Sequence, residues 1–142
     1  MIRYFTEDSD FHFKSRLATK NWIKSVIASE SKSTGDINII FCSDAYLLDI
    51  NERFLSHHYY TDIITFDYCE GENISGDLFI SIDSVYDNSL HFNTAFDNEL
   101  SRVIVHGILH LIGYDDHSDE DIKVMRSKED FYLSRQSEFF HD

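Results

Sequence analysis

Two histidines, His106 and His110, lie four residues apart in a segment whose other side chains are almost all apolar. That spacing places both imidazole rings on one face of an α-helix, one turn apart. Since such an apolar helix is largely buried, the ring nitrogen atoms need partners inside the protein. The pair therefore predicts either two metal ligands or two core histidines that are hydrogen-bonded to the backbone.

The residues that follow the helix favour the metal site. Gly113 is the residue type that most readily adopts the left-handed conformation in which helices end, so the chain can turn back towards the histidine face. The side chains that this turn can bring back are those of Asp115, Asp116 and His117. In the pattern H-x-x-x-H-x-x-G-x-x-D, Asp116 lies ten residues after His106.

A set of two imidazoles and one carboxylate suits a single Zn²⁺ ion. Zinc accepts imidazole nitrogen and carboxylate oxygen at about 2.0–2.2 Å. Three protein ligands leave one tetrahedral position for water or substrate, which is the arrangement of catalytic zinc sites. We therefore expect His106, His110 and Asp116 to be the metal ligands and the catalytic residues of the protein.

The residue after His106 restricts the reaction. In zinc peptidases with an H-E-x-x-H helix, the glutamate is the general base that activates water. Position 107 is glycine here, so a peptidase mechanism lacks its proton acceptor. A metal ion can act as a Lewis acid on a phosphoryl oxygen without that glutamate, which leaves phosphodiester hydrolysis as a candidate reaction.

The elements that would position this helix form a small α/β (α+β) domain. Apolar and β-branched runs predict a four-stranded mixed sheet with about five helices beside it. The predicted strands are residues 1–5, 37–42, 62–68 and 77–82, and the last two form an antiparallel hairpin through a loop at residues 69–76. The predicted helices are residues 11–28, a helix that begins after Ser43, and residues 84–92, 96–112 and 119–133. Ser118 and Asp121 have the spacing of a capping box at the start of the last helix.

The composition predicts one folded domain over residues 1–142. The chain lacks proline, and 42% of its residues are hydrophobic. No apolar run is long enough to cross a bilayer, and residues 1–10 are acidic where a secretory signal would be basic and then apolar. Two cysteines, Cys42 and Cys69, are too few for a disulfide scaffold. These features predict a cytoplasmic protein that has no membrane partner.

The charge distribution bears on nucleic-acid binding. A formal net charge of -14 argues against a nonspecific hold on nucleic acid, which depends on Lys and Arg, and we expect no DNA partner. One stretch differs, because residues 11–29 contain no acid and four cations, Lys14, Arg16, Lys20 and Lys24. This stretch predicts a basic helix face, which is either ordinary solvated surface or a contact for RNA.

The segment HGILHLIGYDDH at residues 106–117 resembles the H-G-x-L-H-L-x-G-Y-D-H motif of the YbeY family of bacterial endoribonucleases and rRNA maturation factors. Two further blocks are similar to family blocks: TDIITF at residues 61–66, preceded by Ile50 and Asn51, and GDLFI at residues 76–80. The resemblance implies a single zinc ion, a cytoplasmic location, and a four-stranded mixed sheet with helices. It also implies a role in processing the 16S rRNA 3′ end and in quality control of the 70S ribosome.

Two positions depart from the family pattern. The third ligand of the family is normally a histidine ten residues after the first, and the matching position here is Asp116, with His117 one residue later. Asp116 keeps the family spacing to the downstream helix, so it is the expected ligand and His117 is the alternative. Leu55 stands where the family has an arginine that the resemblance would assign to RNA or phosphate contact.

The segment at residues 57–60 lies close to Leu55 in the sequence. Its two histidines, His57 and His58, could partly replace the missing arginine, or they could be solvated loop residues. The following Tyr59 and Tyr60 could stack on unpaired RNA bases, or they could cover the core.

Two functions fit these observations. The first is a zinc-dependent endoribonuclease that cuts single-stranded RNA during rRNA maturation, with the ribosomal small subunit as its partner. The second is a noncatalytic ribosome assembly factor whose metal ion stabilises the last two helices. The absence of arginine at position 55 and the acidic composition favour the second function somewhat.

Overall fold

Four strands and five α-helices make up the part of the chain that the computed structural model describes, which is residues 1–56 and 61–140. The strands are β1 (Ile2–Glu7), β2 (Ser33–Cys42), β3 (Ile63–Asp67) and β4 (Asn73–Ser81). The helices are α1 (Arg16–Ser29), α2 (Asp44–Leu55), α3 (Ile82–His91), α4 (Phe96–Ile112) and α5 (Asp119–Ser134), followed by a short 3₁₀ turn at Gln136–Glu138.

The four strands form one mixed sheet in the order β1-β2-β4-β3. Strand β2 is parallel to both β1 and β4, whereas β3 is antiparallel to β4. The α/β (α+β) fold with a mixed sheet and an antiparallel β3-β4 hairpin, predicted from the sequence, is therefore confirmed.

Helix α4 is the central helix of the fold and contacts the sheet as well as α1, α3 and α5. Its apolar residues pack with those of α1, β2 and β4 in the main core; the fully buried members include Trp22, Ile39, Leu78, Ile104 and Ile108. A Cβ atom at Gly107 would lie only 2.6 Å from a methyl carbon of Leu78. The absence of a side chain at position 107 therefore lets α4 lie close against the sheet.

A smaller cluster covers part of the opposite face of the sheet. Leu47 and Ile50 of α2 pack against Cys42 and Ile64. Ser43 caps α2 as predicted, since its hydroxyl oxygen accepts a hydrogen bond from the amide of Tyr46 at 3.1 Å.

The first predicted helix began too early. Helix α1 begins at Arg16, and the residues before it are not helical. The cause is tertiary packing: the rings of Phe11 and Phe13 contact the ring of Phe41, with centroid distances of 5.2 and 4.9 Å. These core contacts hold residues 11–13 outside the helix.

The predicted loop at residues 69–76 was too long. Strand β4 begins at Asn73, which pairs with Ser33, so β2 and β4 extend beyond the predicted limits. Gly76 lies inside β4 rather than in a turn. A Cβ atom there would lie 2.4 Å from the carbonyl oxygen of Phe66 and 2.9 Å from Leu111, so this glycine permits close packing of β3 and α4.

Three other sequence predictions concern residues 57–60, membrane-spanning helices and the two cysteines. Residues 57–60, which include the candidate RNA contacts His57, His58, Tyr59 and Tyr60, lie outside the described residues. Within residues 1–56 and 61–140, no helix has both the length and the apolar composition that a membrane span needs. Cys42 and Cys69 are free thiols.

Candidate metal centre

The last turns of α4 carry His106 and His110 on the same face, as their spacing predicted. The centroids of the two rings are 4.5 Å apart, and each side chain is 23% exposed, so one edge of each ring reaches solvent. Helix α4 ends at Gly113, whose φ of 124° is unfavourable for other residue types. The chain turns there and returns towards the two rings.

The residue that the turn brings to the histidines is Asp116. Its Oδ2 atom lies 3.4 Å from Nε2 of His106 and 3.4 Å from Nε2 of His110. The two Nε2 atoms are 3.0 Å apart. Of the three side chains that the turn could return, Asp115 and His117 are exposed, and Asp116 is the one in this cluster.

The triangle of ligand atoms fits a metal ion. In a tetrahedral site with bonds of about 2.0–2.1 Å, neighbouring ligand atoms are about 3.3–3.4 Å apart. The three observed separations of 3.0, 3.4 and 3.4 Å are close to this value. Among the described residues, His106, His110 and Asp116 are the group whose donor atoms could hold an ion.

A buried carboxylate on α5 orients the first histidine. Nδ1 of His106 lies 2.7 Å from Oε2 of Glu129, and Nη1 of Arg102 donates to Oε1 of the same carboxylate at 2.8 Å. Burial acts to raise the pKa of Glu129, but the hydrogen bonds and charges of His106 and Arg102 outweigh it and lower the pKa. An ionised Glu129 accepts a hydrogen bond from Nδ1–H of His106. The proton therefore stays on Nδ1, and the lone pair of Nε2 is free on the side of Asp116.

Carboxylates around His106 favour a positive charge at the centre. Burial of the ring acts to lower the pKa of His106, but the hydrogen bond to Glu129 and the charges of Glu129, Asp116 and Asp62 outweigh it and raise the pKa. Asp62 itself is partly buried, and this desolvation is the main reason that its pKa is raised. Such a site attracts a cation, whether a proton or a metal ion.

A cleft of about 380 Å³ lies beside the candidate metal centre. His106 and Asp116 form part of its wall, together with Asp62, Phe92 and Arg126. Asn88 donates from Nδ2 to Oδ2 of Asp62 at 3.4 Å on the same wall. The cleft gives a substrate access to the candidate metal centre.

Several residues around the centre had not been predicted from the sequence. A signal existed for Arg102, because it lies four residues before His106 and therefore on the same face of α4. No local pattern pointed to Glu129, Phe92 or Arg126, since they reach the centre only through the packing of α3 and α5 against α4.

The structure shows the surroundings of Gly107, which replaces the peptidase glutamate, and of Leu55, which replaces the family arginine. A side chain at residue 107 would point at Leu78 and Ile63 in the sheet rather than at Asp116, so this position offers no place for a general base. Leu55 is the last residue of α2 and is 39% exposed, and its side chain carries no charge for a phosphate.

Comparisons with known proteins agree with the fold and with the motif. The family model described as endoribonuclease YbeY matches residues 3–137. The protein named endoribonuclease YbeY from Flavobacterium psychrophilum is 50% identical over 126 residues, which cover 89% of this chain and 90% of that protein. The protein of the same name from Phocaeicola vulgatus is 49% identical over 134 residues, covering 94% and 97%.

A solved structure has the same architecture. The solution structure of TM1509 from Thermotoga maritima superposes with a TM-score of 0.70 at 30% identity, and the match covers 97% of this chain and 90% of that one. The family model and the two relatives extend over nearly the whole chain, including the motif that forms the candidate metal centre. The chain therefore belongs to the YbeY family of endoribonucleases.

Proposed function

We propose that this protein is a zinc-dependent endoribonuclease that cuts single-stranded RNA. The observation that carries the proposal is the triangle of donor atoms from His106, His110 and Asp116. His106 and Asp116 also line a cleft of about 380 Å³. Family membership supports the reaction, since the similar proteins are named as endoribonucleases.

The residues of the chain have distinct roles in this proposal. His106, His110 and Asp116 hold the ion, with Asp116 rather than His117 as the third ligand. When bound, zinc supplies Lewis acidity, which stabilises negative charge on a phosphoryl oxygen and promotes the ionisation of water. Glu129 holds the proton on Nδ1 of His106 and thereby keeps Nε2 available as a ligand.

The substrate that we propose is rRNA, with the 16S rRNA 3′ end as the processing site and the ribosomal small subunit as the partner. A net charge of -14 gives the protein little general attraction for free RNA. Presentation of the RNA by the ribosomal subunit would overcome this repulsion. This role places the protein in the cytoplasm, and the free thiols of Cys42 and Cys69 are consistent with a reducing compartment.

Replacement of one ligand tests the proposal. His110→Ala removes one of three donor atoms, so we expect the purified variant to lose its stoichiometric metal ion and its cleavage of single-stranded RNA. Metal content is measured by mass spectrometry and cleavage by gel electrophoresis of a labelled RNA. His12→Ala, which replaces an exposed histidine outside the cluster, is the matched control and should retain both properties.

Cleavage by the wild-type protein, compared with the rRNA of cells that lack it, separates the enzyme from the noncatalytic assembly factor. Leu55 favours the assembly factor, because its apolar side chain cannot bind a phosphate as an arginine would. If the wild-type protein contains its metal ion but cuts no single-stranded RNA, while cells that lack it accumulate precursor rRNA, the enzymatic proposal is wrong. In that case His110→Ala should mainly destabilise α4 and α5.

A further inference from the structure

The carboxylates that line the cleft beside the candidate metal centre disfavour the binding of RNA. Asp62, Asp116 and Glu129 all lie along it, and a phosphodiester would be repelled by their charges. A substrate-binding surface must therefore include groups that attract a nucleotide. The described residues that line the cleft include two cationic side chains, Arg102 and Arg126.

Arg126 is the less engaged of these two arginines. Arg102 is 22% exposed and donates to Glu129 at 2.8 Å and to Asp130 at 2.7 Å, so its guanidinium group is already engaged. Arg126 is 63% exposed, and its contact with Glu129 is 3.8 Å long. The contact is long and the guanidinium group itself is exposed, so Arg126 can turn towards a ligand, while Glu129 keeps its shorter contacts with His106 and Arg102.

The position of Arg126 suits a phosphate close to the reacting one. Arg126 and His106 contact the two oxygen atoms of the same carboxylate, that of Glu129. The guanidinium group of Arg126 therefore lies near the imidazole ring of His106. A phosphate bound by Arg126 would therefore belong to the substrate segment at the metal centre rather than to a distant part of the RNA. Guanidinium groups bind phosphate with charge-assisted hydrogen bonds.

The cleft also carries an exposed aromatic ring. Phe92 follows α3, lines the cleft, and is 60% exposed. The ring of His91 contacts it edge-on at a centroid distance of 4.9 Å, and the exposure of Phe92 means that the described residues leave much of the ring uncovered. Unpaired bases stack on such rings without strong preference for one base.

We propose that Phe92 and Arg126 form the nucleotide-binding wall of the cleft. Phe92 stacks on an unpaired base, and Arg126 contacts a phosphate beside the scissile one. The ligand class is single-stranded RNA, because a base paired within a duplex presents no free face to Phe92. This inference rests on the proposed endoribonuclease function and adds the residues that hold its substrate.

Binding measurements on the intact, metal-loaded protein test each residue separately. The probe is a short, unstructured, fluorescently labelled RNA with 2′-O-methyl groups, and its anisotropy is followed as a function of salt concentration. Phe92→Ala should weaken binding by about tenfold and leave the salt dependence unchanged. Arg126→Gln should weaken binding and reduce the slope of log K against log salt by about 0.7, the value for one phosphate contact in a single strand.

Conservative and distant variants serve as controls. Phe92→Tyr and Arg126→Lys should retain most of the binding, because they keep the ring and the charge. The distant controls are Phe131→Ala, which removes an exposed ring of α5, and Arg135→Gln, which removes an exposed cation at the C-cap of α5. Neither residue lines the cleft, so both variants should bind like the wild type. Cleavage of the unmodified RNA should show a raised KM for Phe92→Ala and Arg126→Gln, with a smaller change in kcat.

The outcomes distinguish this inference from the function on which it rests. If the wild type cuts the RNA and both variants bind it with unchanged affinity and salt slope, the assignment of the wall is wrong while the endoribonuclease function stands. If the wild type neither binds nor cuts single-stranded RNA, both proposals are wrong. Equal losses in the variants and in the distant controls would also overturn the assignment, since the effect would not be specific to the cleft.

Discussion

At the scale of single residues, the candidate centre depends on a carboxylate that is not a ligand. Glu129 is 6% exposed, and it receives hydrogen bonds from His106 and Arg102 at once. Its negative charge fixes the proton of His106 on Nδ1 and thereby directs Nε2 to the metal position. A neutral side chain of the same shape would still accept a hydrogen bond but would hold the ring less firmly.

Glu129→Gln is therefore expected to weaken metal binding by about 10- to 100-fold, the usual effect of losing a carboxylate behind a ligating histidine. Competition with a chelator of known zinc affinity measures the change. Asp130→Asn is the control, because Asp130 contacts Arg102 but not His106. Equal metal affinities of Glu129→Gln and the wild type would contradict the role given to this carboxylate.

The candidate ligands were predicted from sequence spacing, whereas the residues around them were not. The distance of four residues predicted that His106 and His110 share one face. The turn at Gly113 left Asp115, Asp116 and His117 as candidates, and the family spacing favoured Asp116 over His117. Glu129 lies 23 residues after His106, and their contact is set by how α5 packs on α4. Periodicity describes one element at a time, so it cannot indicate such a pair.

At the scale of elements, the turn that carries Asp116 is held by a second, partly buried carboxylate. Glu30, the C-cap residue of α1, accepts hydrogen bonds from the hydroxyl groups of Tyr114 and Tyr132 and from Nζ of Lys128 at 3.1 Å. Tyr114 lies between Gly113 and Asp116. Glu30 therefore connects the end of α1 to the turn after α4 and to α5.

Glu30→Gln should lower the free energy of unfolding of the metal-free protein near neutral pH by about 1–2 kcal/mol, since it weakens hydrogen bonds to a charged acceptor. Burial acts to raise the pKa of Glu30, but the bonds from Tyr114, Tyr132 and Lys128 outweigh it and lower the pKa. A lowered pKa in the folded state means that the charged form adds stability above the unfolded pKa of about 4.3 and loses it as the pH falls further.

Urea unfolding in the presence of a chelator, at a series of pH values, measures this effect. The difference between the wild type and Glu30→Gln should be constant above about pH 5 and should shrink as the pH falls below about 4. Glu138→Gln, which alters an exposed ion pair with Arg135, should change the stability little at any pH. A Glu30→Gln difference that does not depend on pH would argue against the ionised carboxylate as the connection.

At the scale of the whole molecule, the sequence predicted the sheet and most of the helices, because each has a strong pattern of its own. Helix α4 has the predicted bounds of 96–112, and the capping box of Ser118 and Asp121 begins α5 as expected. The errors lie where packing overrides local preference. Phe11 and Phe13 contact the core ring of Phe41 instead of continuing α1, and Gly76 lies within a strand because α4 approaches it closely.

Only the structure shows where the basic face lies relative to the cleft of the candidate metal centre. The predicted basic face lies on α1 and the residues before it, where Lys14 and Arg16 line an open cavity that is separate from the cleft of the metal centre. None of its four cations is among the described residues that line that cleft. In the proposed function, the positive charge for a substrate at the centre comes from the bound ion and from the two arginines that line the cleft, of which Arg126 is the more exposed.

The central claim is that one ion is held by His106, His110 and Asp116. Diffraction from zinc-loaded crystals, recorded on both sides of the zinc absorption edge, tests this claim most directly. We expect one anomalous peak bonded to Nε2 of both histidines and to a carboxylate oxygen of Asp116 at about 2.0–2.2 Å. A peak bonded to His117 in place of Asp116, or no peak between the two rings, would contradict the account.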